Sequence, residues 1–151
     1  MKKITPFLWF DDQAEQAMRF YVSVFKNSKV LSVSPGPNGK AMSVTFELEG
    51  QAFMALNGGP QFKFTEAISL FVSCKTQDEV DELWAKLTAD GGEESRCGWL
   101  KDKYGLSWQI IPTALMEMLG DADPGKAGRA MEAMLKMNKI DIKALRAARY
   151  R

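Results

Sequence analysis

The fold is decided by two similar stretches, residues 4–25 (ITPFLWFDDQAEQAMRFYVSVF) and residues 67–87 (AISLFVSCKTQDEVDELWAKL). Each begins with a short apolar run of strand length. Each continues, after a residue suited to a helix N-terminus, with apolar residues at three- and four-residue spacing. Both stretches therefore predict a β-strand followed by an amphipathic helix, and their recurrence indicates an internal repeat.

Both helix starts carry a recognisable sequence signal. Asp12 and Glu15 have the spacing of a capping box, with Asp in place of the usual Ser or Thr, and Thr76 and Glu79 make a complete one. We expect the first helix to end at Asn27 and the second at residues 91–92, which are both glycine.

Three further strand-length segments follow each predicted helix. In the first half they are residues 30–34, 42–48 and 51–56, and in the second half residues 93–95, 98–101 and 106–111. The connecting turns of the first half are rich in Gly, Pro and Asn, which favours antiparallel hairpins. The sequence therefore predicts an α+β chain of two βαβββ modules with antiparallel sheets.

The residues after Pro112 have a helical pattern. A short helix should carry Leu115 and Met118, a second should start at Asp123, and a third at Asp141. We expect one domain over residues 1–151, with module one at about 1–60, module two at about 61–112 and a helical extension over 113–151.

The composition removes several classes of chemistry. The sequence contains no histidine, so Ser-His-Asp and Cys-His nucleophiles and His-ligated metal sites cannot be built. The 20 basic and 19 acidic residues give a net charge of +1. Such a balance favours a neutral or small ligand over nucleic acid or a membrane surface.

Two further features bear on location. Cys74 and Cys97 are the only cysteines and have no C-x-x-C spacing, and no signal peptide precedes the first strand. No apolar run reaches the roughly 20 residues that span a bilayer. These features predict a cytoplasmic protein with reduced thiols.

The end of the chain is basic. Residues 136–151 hold six basic residues against one acid, Asp141. One hypothesis makes this segment an interaction module for DNA or RNA. A solvated helix face is the commoner meaning of such a run, and we expect no nucleic-acid partner.

Several long stretches resemble a known family. They are residues 6–11 (PFLWFD), 53–60 (FMALNGGP), 97–112 (CGWLKDKYGLSWQIIP) and 137–142 (MNKIDI). They are similar to the PhnB-like group of the vicinal oxygen chelate superfamily, whose topology is a duplicated βαβββ unit. The resemblance covers nearly the whole chain and implies curved sheets around a cavity and a homodimer.

The resemblance also implies where metal ligands would stand. The superfamily's ligand positions fall here on Thr5, Ala55, Ala67 and Gln109, with Gln109 in place of the usual Glu. Two alanines cannot bind a cation, and neutral Thr and Gln offer weak oxygens. We therefore expect no conventional metal site and no cofactor.

Whether the protein is an enzyme stays open. Many relatives of this group carry the label demethylubiquinone methyltransferase, yet Gly58-Gly59-Pro60 reads as a loop and not as the glycine-rich start of a helix. A lyase or dioxygenase relative using Gln109 with Glu47 or an external ligand, or the labelled methyltransferase, is the alternative to a binding protein.

Strand alternation groups the candidate ligand-binding residues. Thr5, Phe7 and Trp9 share one face of the first strand. The second module contributes Ser69, Phe71 and Gln109. The residue that follows strand 51–56 of the first module adds an amide, Asn57. If these line the cavity, as family geometry implies, a small organic molecule would meet aromatic rings with a few amides and hydroxyls. Alternatively the rings fill a core and the amides bind backbone.

Overall fold

The computed structural model describes residues 2–150. The chain divides into two compact units, Met1–Phe64 and Thr65–Arg151. Each unit contains one four-stranded sheet.

The first unit has the predicted βαβββ order. Its elements are β1 (Phe7–Phe10), α1 (Ala14–Val24), β2 (Lys29–Pro35), β3 (Ala41–Leu48) and β4 (Gln51–Asn57). The strands lie in the order β1-β4-β3-β2. β3 is antiparallel to both β2 and β4, as the short turns predict.

The sheet is mixed, and the expectation of purely antiparallel sheets was wrong in this respect. β1 runs parallel to β4, with Phe7 beside Met54 and Phe10 beside Asn57. The reason is the crossover through α1, which returns the chain to the end of the sheet where β1 began. Two hairpins then bring β4 back in the direction of β1.

One face of this sheet is covered by α1. The buried residues of the sheet include Leu8, Phe46 and Ala55, and Tyr21 of α1 lies with its ring centroid 6.5 Å from that of Phe46. Alternation along the strands leaves the opposite face without a helix in this unit. The open face is therefore the side where Phe7 and Trp9 lie.

The start of α1 corrects one prediction. Gln13 occupies the N-cap and makes no side-chain capping bond, so the expected cap from Asp12 is wrong. The Asn57 side chain, at the end of β4, accepts the N–H of Ala14 through Oδ1 at 2.8 Å. A residue distant in sequence therefore satisfies this helix end.

The second unit repeats the order before adding helices. Its first elements are β5 (Leu70–Cys74), α2 (Gln77–Thr88), β6 (Glu93–Glu94), β7 (Trp99–Lys101) and β8 (Ser107–Pro112). The order is β5-β8-β7-β6, and β5 runs parallel to β8. β5 starts at Leu70, so Ala67 and Ser69 precede the strand that was expected to include them. The predicted cap is confirmed, because Thr76 Oγ1 accepts the N–H of Glu79.

A buried carboxylate organises the turn between β7 and β8. Asp102 is 2% exposed. Its Oδ1 accepts the backbone N–H groups of Tyr104 and Leu106, and its Oδ2 accepts the indole N–H of Trp108 at 2.8 Å. The carboxylate thus binds the backbone of the turn and a buried ring at the same time.

The helical extension packs against β8. It consists of α3 (Thr113–Leu119), α4 (Pro124–Leu135) and α5 (Ile142–Arg149). Asp123 and Asp141 cap α4 and α5 as predicted. The extension and the end of β8 form an apolar cluster that includes Ile111, Leu115, Met118, Ala130, Ile140 and Leu145.

The extension also supplies backbone hydrogen-bond acceptors to the residues just before β7. The N–H groups of Cys97 and Gly98, just before this strand, donate to the carbonyls of Met137 and Asn138, each at 2.8 Å. Backbone donors beside the sheet are therefore satisfied by the chain segment between α4 and α5.

No helix within residues 2–150 is long and apolar enough to cross a membrane.

Candidate functional site

The open face of the first sheet exposes apolar side chains. Phe7 stands beside Met54 and Trp9 beside Leu56 across the parallel β1–β4 pair. Phe7 is 51% exposed although it lies within a strand. Such exposure leaves an aromatic ring available for contact with an apolar partner.

The ring of Trp9 is held in one position. Its indole N–H donates to the carbonyl of Gly59 at 2.9 Å, and Phe62 meets the indole edge-on with centroids 4.9 Å apart. A Cβ added to Gly58 would lie 2.3 Å from the indole ring. The glycine therefore lets the indole lie against the loop backbone, and the surface is preorganised.

The polar candidates of the first unit already have partners. Asn57 Nδ2 donates to the Ala41 carbonyl at 2.9 Å while its Oδ1 caps α1. Thr5 precedes β1, and its hydroxyl donates to the Lys2 carbonyl at 3.3 Å. Asn57 ends β4 and Thr5 precedes β1, so both residues adjoin strands of the open face. Their side chains nevertheless form hydrogen bonds with backbone groups.

The second sheet has a comparable open face. Phe71 of β5 and Trp99 of β7 both stand beside Gln109 of β8. Phe71 is 52% exposed, which matches the exposure of Phe7 in the first unit. Trp108 and Ile110 point to the other, buried face, beneath α2.

Two of the predicted polar residues come together on this second face. Gln109 Nε2 donates to Ser69 Oγ at 2.9 Å. Within the described part of the chain, Gln109 Oε1 has no hydrogen-bond partner, so the amide retains an acceptor. The pair could orient a ligand that carries a hydroxyl or amine.

An ion pair lies near these residues in the fold. Lys101 Nζ is 2.7 Å from Glu66 Oε1, and the hydrogen bond from Lys101 holds the pKa of Glu66 below its ordinary value. Glu66 therefore stays ionised near neutral pH. A general-acid role, which needs a raised carboxyl pKa, does not suit this side chain.

Three expectations about face and position need correction. Ala55 pairs with Leu8 and is 1% exposed on the face covered by α1, so the ligand position placed there does not reach the open face. Ala67 is exposed and lies before β5. Two-residue alternation along β8 predicts that Ile111 lies on the same face as Gln109, but Ile111 is instead packed into the cluster of the C-terminal helices.

Of the four ligand positions that the resemblance implies, only Thr5 and Gln109 carry side-chain donor atoms, and these two residues do not fit a metal ion. Thr5 and Gln109 are neutral, and the amide N–H of Gln109 and the hydroxyl of Thr5 are engaged in hydrogen bonds. Glu47, the alternative donor, is ion-paired with Lys29 at 3.7 Å. Across residues 2–150, no three Cys, Asp or Glu side chains group closely enough to hold an ion.

The residues also do not fit a Rossmann-type S-adenosylmethionine site. Gly58 and Gly59 follow β4, as a phosphate- or nucleoside-binding loop would, but no helix begins between them and β5. Among the described strands, each sheet has one parallel pair, β1 with β4 and β5 with β8. The glycines here accommodate the indole of Trp9 instead.

Sequence reasoning missed several residues of these faces. Met54, Leu56 and Phe62 in the first unit and Trp99 in the second all lie beside the predicted residues. Alternation along residues 51–56 could have identified Met54 and Leu56, since the parity of a strand fixes their face. The contact of Phe62 depends on the path of a loop, which no local pattern signals.

Comparison with known proteins agrees with this fold. The family model described as 3-demethylubiquinone-9 3-methyltransferase matches residues 2–111. A PhnB protein from Bacillus cereus that carries the same methyltransferase label is 38% identical, with a TM-score of 0.69 over 74% of this chain and 99% of its own. No curated protein matches the sequence.

More distant structures show the fold alone. Protein PA1353 from Pseudomonas aeruginosa is 19% identical, with a TM-score of 0.64 over 74% of this chain and 98% of its own. The fosfomycin resistance protein FosX from Listeria monocytogenes, whose structure contains Mn(II) and sulfate, is 17% identical, with a TM-score of 0.53 over 72% and 90%. The chain belongs to the 3-demethylubiquinone-9 3-methyltransferase family and is similar to the PhnB protein of that family.

Proposed function

We propose that this protein binds a small organic molecule with a planar, largely apolar body, without the help of a metal ion. The observation that carries the proposal is the pair of half-exposed phenylalanines, Phe7 and Phe71, each on the uncovered face of its sheet. Aromatic rings in such positions gain contact area when a planar ligand covers them. The fixed indole of Trp9 supports the same function in the first unit.

Polar groups would orient the ligand. The acceptor of Gln109 and the hydroxyl of Ser69 are the first candidates, because their mutual hydrogen bond leaves further capacity on both. Thr5 and Asn57 complete the proposed set. We expect smaller effects from these two, because their polar groups already bind backbone.

The test has two arms. Native mass spectrometry of freshly purified protein asks whether a small molecule is retained. A fluorescence titration with the neutral probe N-phenyl-1-naphthylamine then compares the unmodified protein with Phe7→Ala and Phe71→Ala. Met116→Ala, which removes a 54% exposed side chain from α3, is the matched control.

The expected result is weaker probe binding in the two phenylalanine variants and unchanged binding in the control. Equal binding by all four proteins, together with no retained molecule, would contradict the proposal. Trp9→Phe extends the test, since it keeps an aromatic ring but loses the bond to Gly59.

The family match favours methyl transfer as a second candidate function. It requires S-adenosylmethionine to bind, and isothermal titration calorimetry with that compound decides the point. Saturable binding would support the methyltransferase over a simple binding protein.

The proposal extends to assembly and location. We propose a homodimer, supported by the exposed apolar residues Leu31 and Val33 on β2, which is an end strand of its sheet. We also propose a cytoplasmic location, supported by Cys74 and Cys97, which are both free thiols. Light scattering reports the first, and cell fractionation the second.

A further inference from the structure

A groove in the second unit lies between the start of α2 and the start of α5. It has a volume of about 450 Å³, and Lys75, Gln77, Ile142, Lys143 and Arg146 contribute to its walls. The volume falls within the roughly 300–1,000 Å³ typical of small-molecule pockets. None of these residues belongs to the open faces described above, so the groove is a separate feature.

The groove carries an excess of positive charge. Lys75, Lys143 and Arg146 form no ion pair with any residue in the described range 2–150. Other basic residues of the same unit are paired, among them Lys139 with Asp81 and Arg149 with Asp121. Three cationic groups in one concave place raise the local concentration of anions.

The acidic residue in the groove does not cancel this charge. Asp141 is the only acid among the lining residues, and its Oδ1 accepts the N–H of Ala144 as the cap of α5. Three cations and one anion leave an excess of two positive charges. That excess matches a dianion better than a monoanion.

The two walls are fixed to each other. Gln77 Nε2 donates to the carbonyl of Ile140 at 2.9 Å, and its Oε1 accepts the N–H of Ile142 at 2.8 Å. The start of α2 is thereby bound to the start of α5 through both ends of one side chain. Because the two helix starts are fixed to each other, only the side chains that meet a ligand have to become ordered when it binds.

The floor of the groove includes apolar surface. Ile142 is 8% exposed and belongs to the cluster of the C-terminal helices. The methylene stems of the two lysines add to this surface. A ligand with an apolar part next to its charged group would therefore use the groove better than a bare inorganic ion.

We propose that this groove is a second binding site, which takes a small phosphate monoester with an apolar or aromatic body. The three cations bind the phosphate oxygens through charge-assisted hydrogen bonds, and the apolar floor receives the body. The site joins the α2 of the repeated module to the α5 of the extension, so the extension contributes half of it. The proposal goes beyond the open-face function and does not depend on it.

The experiment is a calorimetric titration with phenyl phosphate at low ionic strength, with inorganic phosphate as the second probe. We expect phenyl phosphate to bind more tightly than phosphate. The triple variant Lys75→Gln, Lys143→Gln and Arg146→Gln should weaken phenyl phosphate binding at least about tenfold, because each lost charge-assisted bond is among the strong ones. Amide chemical shifts should change at the starts of α2 and α5.

The matched control is the triple variant Lys26→Gln, Lys63→Gln and Lys136→Gln, which removes the same net charge at exposed positions elsewhere. Equal loss of binding in the two triple variants would overturn the proposal, because it would reduce the effect to overall charge. Absence of binding to the unmodified protein would overturn it as well.

A further arm uses a single-stranded 20-mer oligonucleotide. Groove-dependent binding to the oligonucleotide with no binding of phenyl phosphate would overturn the small-molecule proposal in favour of nucleic acid. The probe titration of Phe7→Ala and Phe71→Ala reports on the open faces alone, so the failure of either proposal is distinguishable from that of the other.

Discussion

The two units reach the same topology through different local interactions. Each places its first strand parallel to its last, in the orders β1-β4-β3-β2 and β5-β8-β7-β6. In the second unit the helix is capped by Thr76, three residues before the N–H that it accepts. In the first unit the cap is Asn57, 43 residues from Ala14. A repeated fold therefore does not require repeated capping.

The hairpins differ in the same way. The β3–β4 turn has Glu49 and Gly50, both with positive φ, which is the geometry of a tight two-residue turn. The β7–β8 turn depends on the buried carboxylate of Asp102. The first turn depends on backbone conformation and the second on a side chain. Substitutions in the two turns should therefore have different effects on stability.

Among substitutions in the turns, the helix caps, the buried thiol and the open faces, Asp102→Ala should have the largest effect. It leaves two backbone donors and the indole N–H of Trp108 without this acceptor, which should lower the free energy of unfolding by about 3–5 kcal/mol. Urea denaturation measures the change. Asp11→Ala, at an exposed position, should stay within about 0.5 kcal/mol of the unmodified protein. Equal losses would mean that the hairpin does not need the carboxylate.

The helix caps give the next comparison. Asn57→Ala removes partners from Ala14 and Ala41, which belong to different elements, so we expect a loss of about 2 kcal/mol. Thr76→Ala removes one local cap, and about 1 kcal/mol is expected. Thermal and urea unfolding of both variants rank them. The reverse ranking would contradict the importance assigned to the distant cap.

The buried thiol of the second unit should make stability depend on pH. Burial, with a smaller effect of Glu79, raises the pKa of Cys74 from 9.0 to about 12. Above pH 9 the unfolded chain loses this proton while the folded chain keeps it, so stability falls between pH 9 and pH 12. The loss should reach about 1 kcal/mol at pH 10.

Urea unfolding at pH 8 and pH 10 measures the effect as a difference between the unmodified protein and Cys74→Ala. Cys97→Ala is the control, because it removes the other free cysteine, whose side chain is only partly buried. A pH dependence that persists unchanged in Cys74→Ala would assign it to another group.

The smallest effects on stability should come from the open faces. Phe7→Ala and Phe71→Ala remove half-exposed rings, and each should lower the free energy of unfolding by about 1 kcal/mol or less. Phe46→Ala, at 1% exposure beneath α1, should cost about 3–5 kcal/mol. A large loss from either open-face variant would show that the ring supports the fold.

The sequence predicted the order of elements because that order depends on local patterns. Apolar spacing identified α1 and α2, and the caps of α2, α4 and α5 were identified from Thr76, Asp123 and Asp141. The repeat and the resemblance together predicted two βαβββ units, which the family match and the Bacillus cereus structure confirm. Local signals are strongest where a single segment determines the outcome.

What the sequence could not predict involves distant partners. The cap of α1 comes from the far end of its unit, and the parallel pairing of β1 with β4 depends on the route of a crossover. The covering of Ile111 depends on where the C-terminal helices pack. For the candidate site, alternation predicted the shared face of Phe7 and Trp9, whereas the ring contact of Phe62 arises from a loop.

Two backbone hydrogen bonds connect the residues before β7 to the C-terminal extension. The family match ends at residue 111, whereas Cys97 and Gly98 find their acceptors at Met137 and Asn138. A shortened protein trimmed to the matched region would leave both donors bare and uncover Ile111. The helices α3, α4 and α5 are therefore needed by the second unit, and this unit should refold only when it is made together with them.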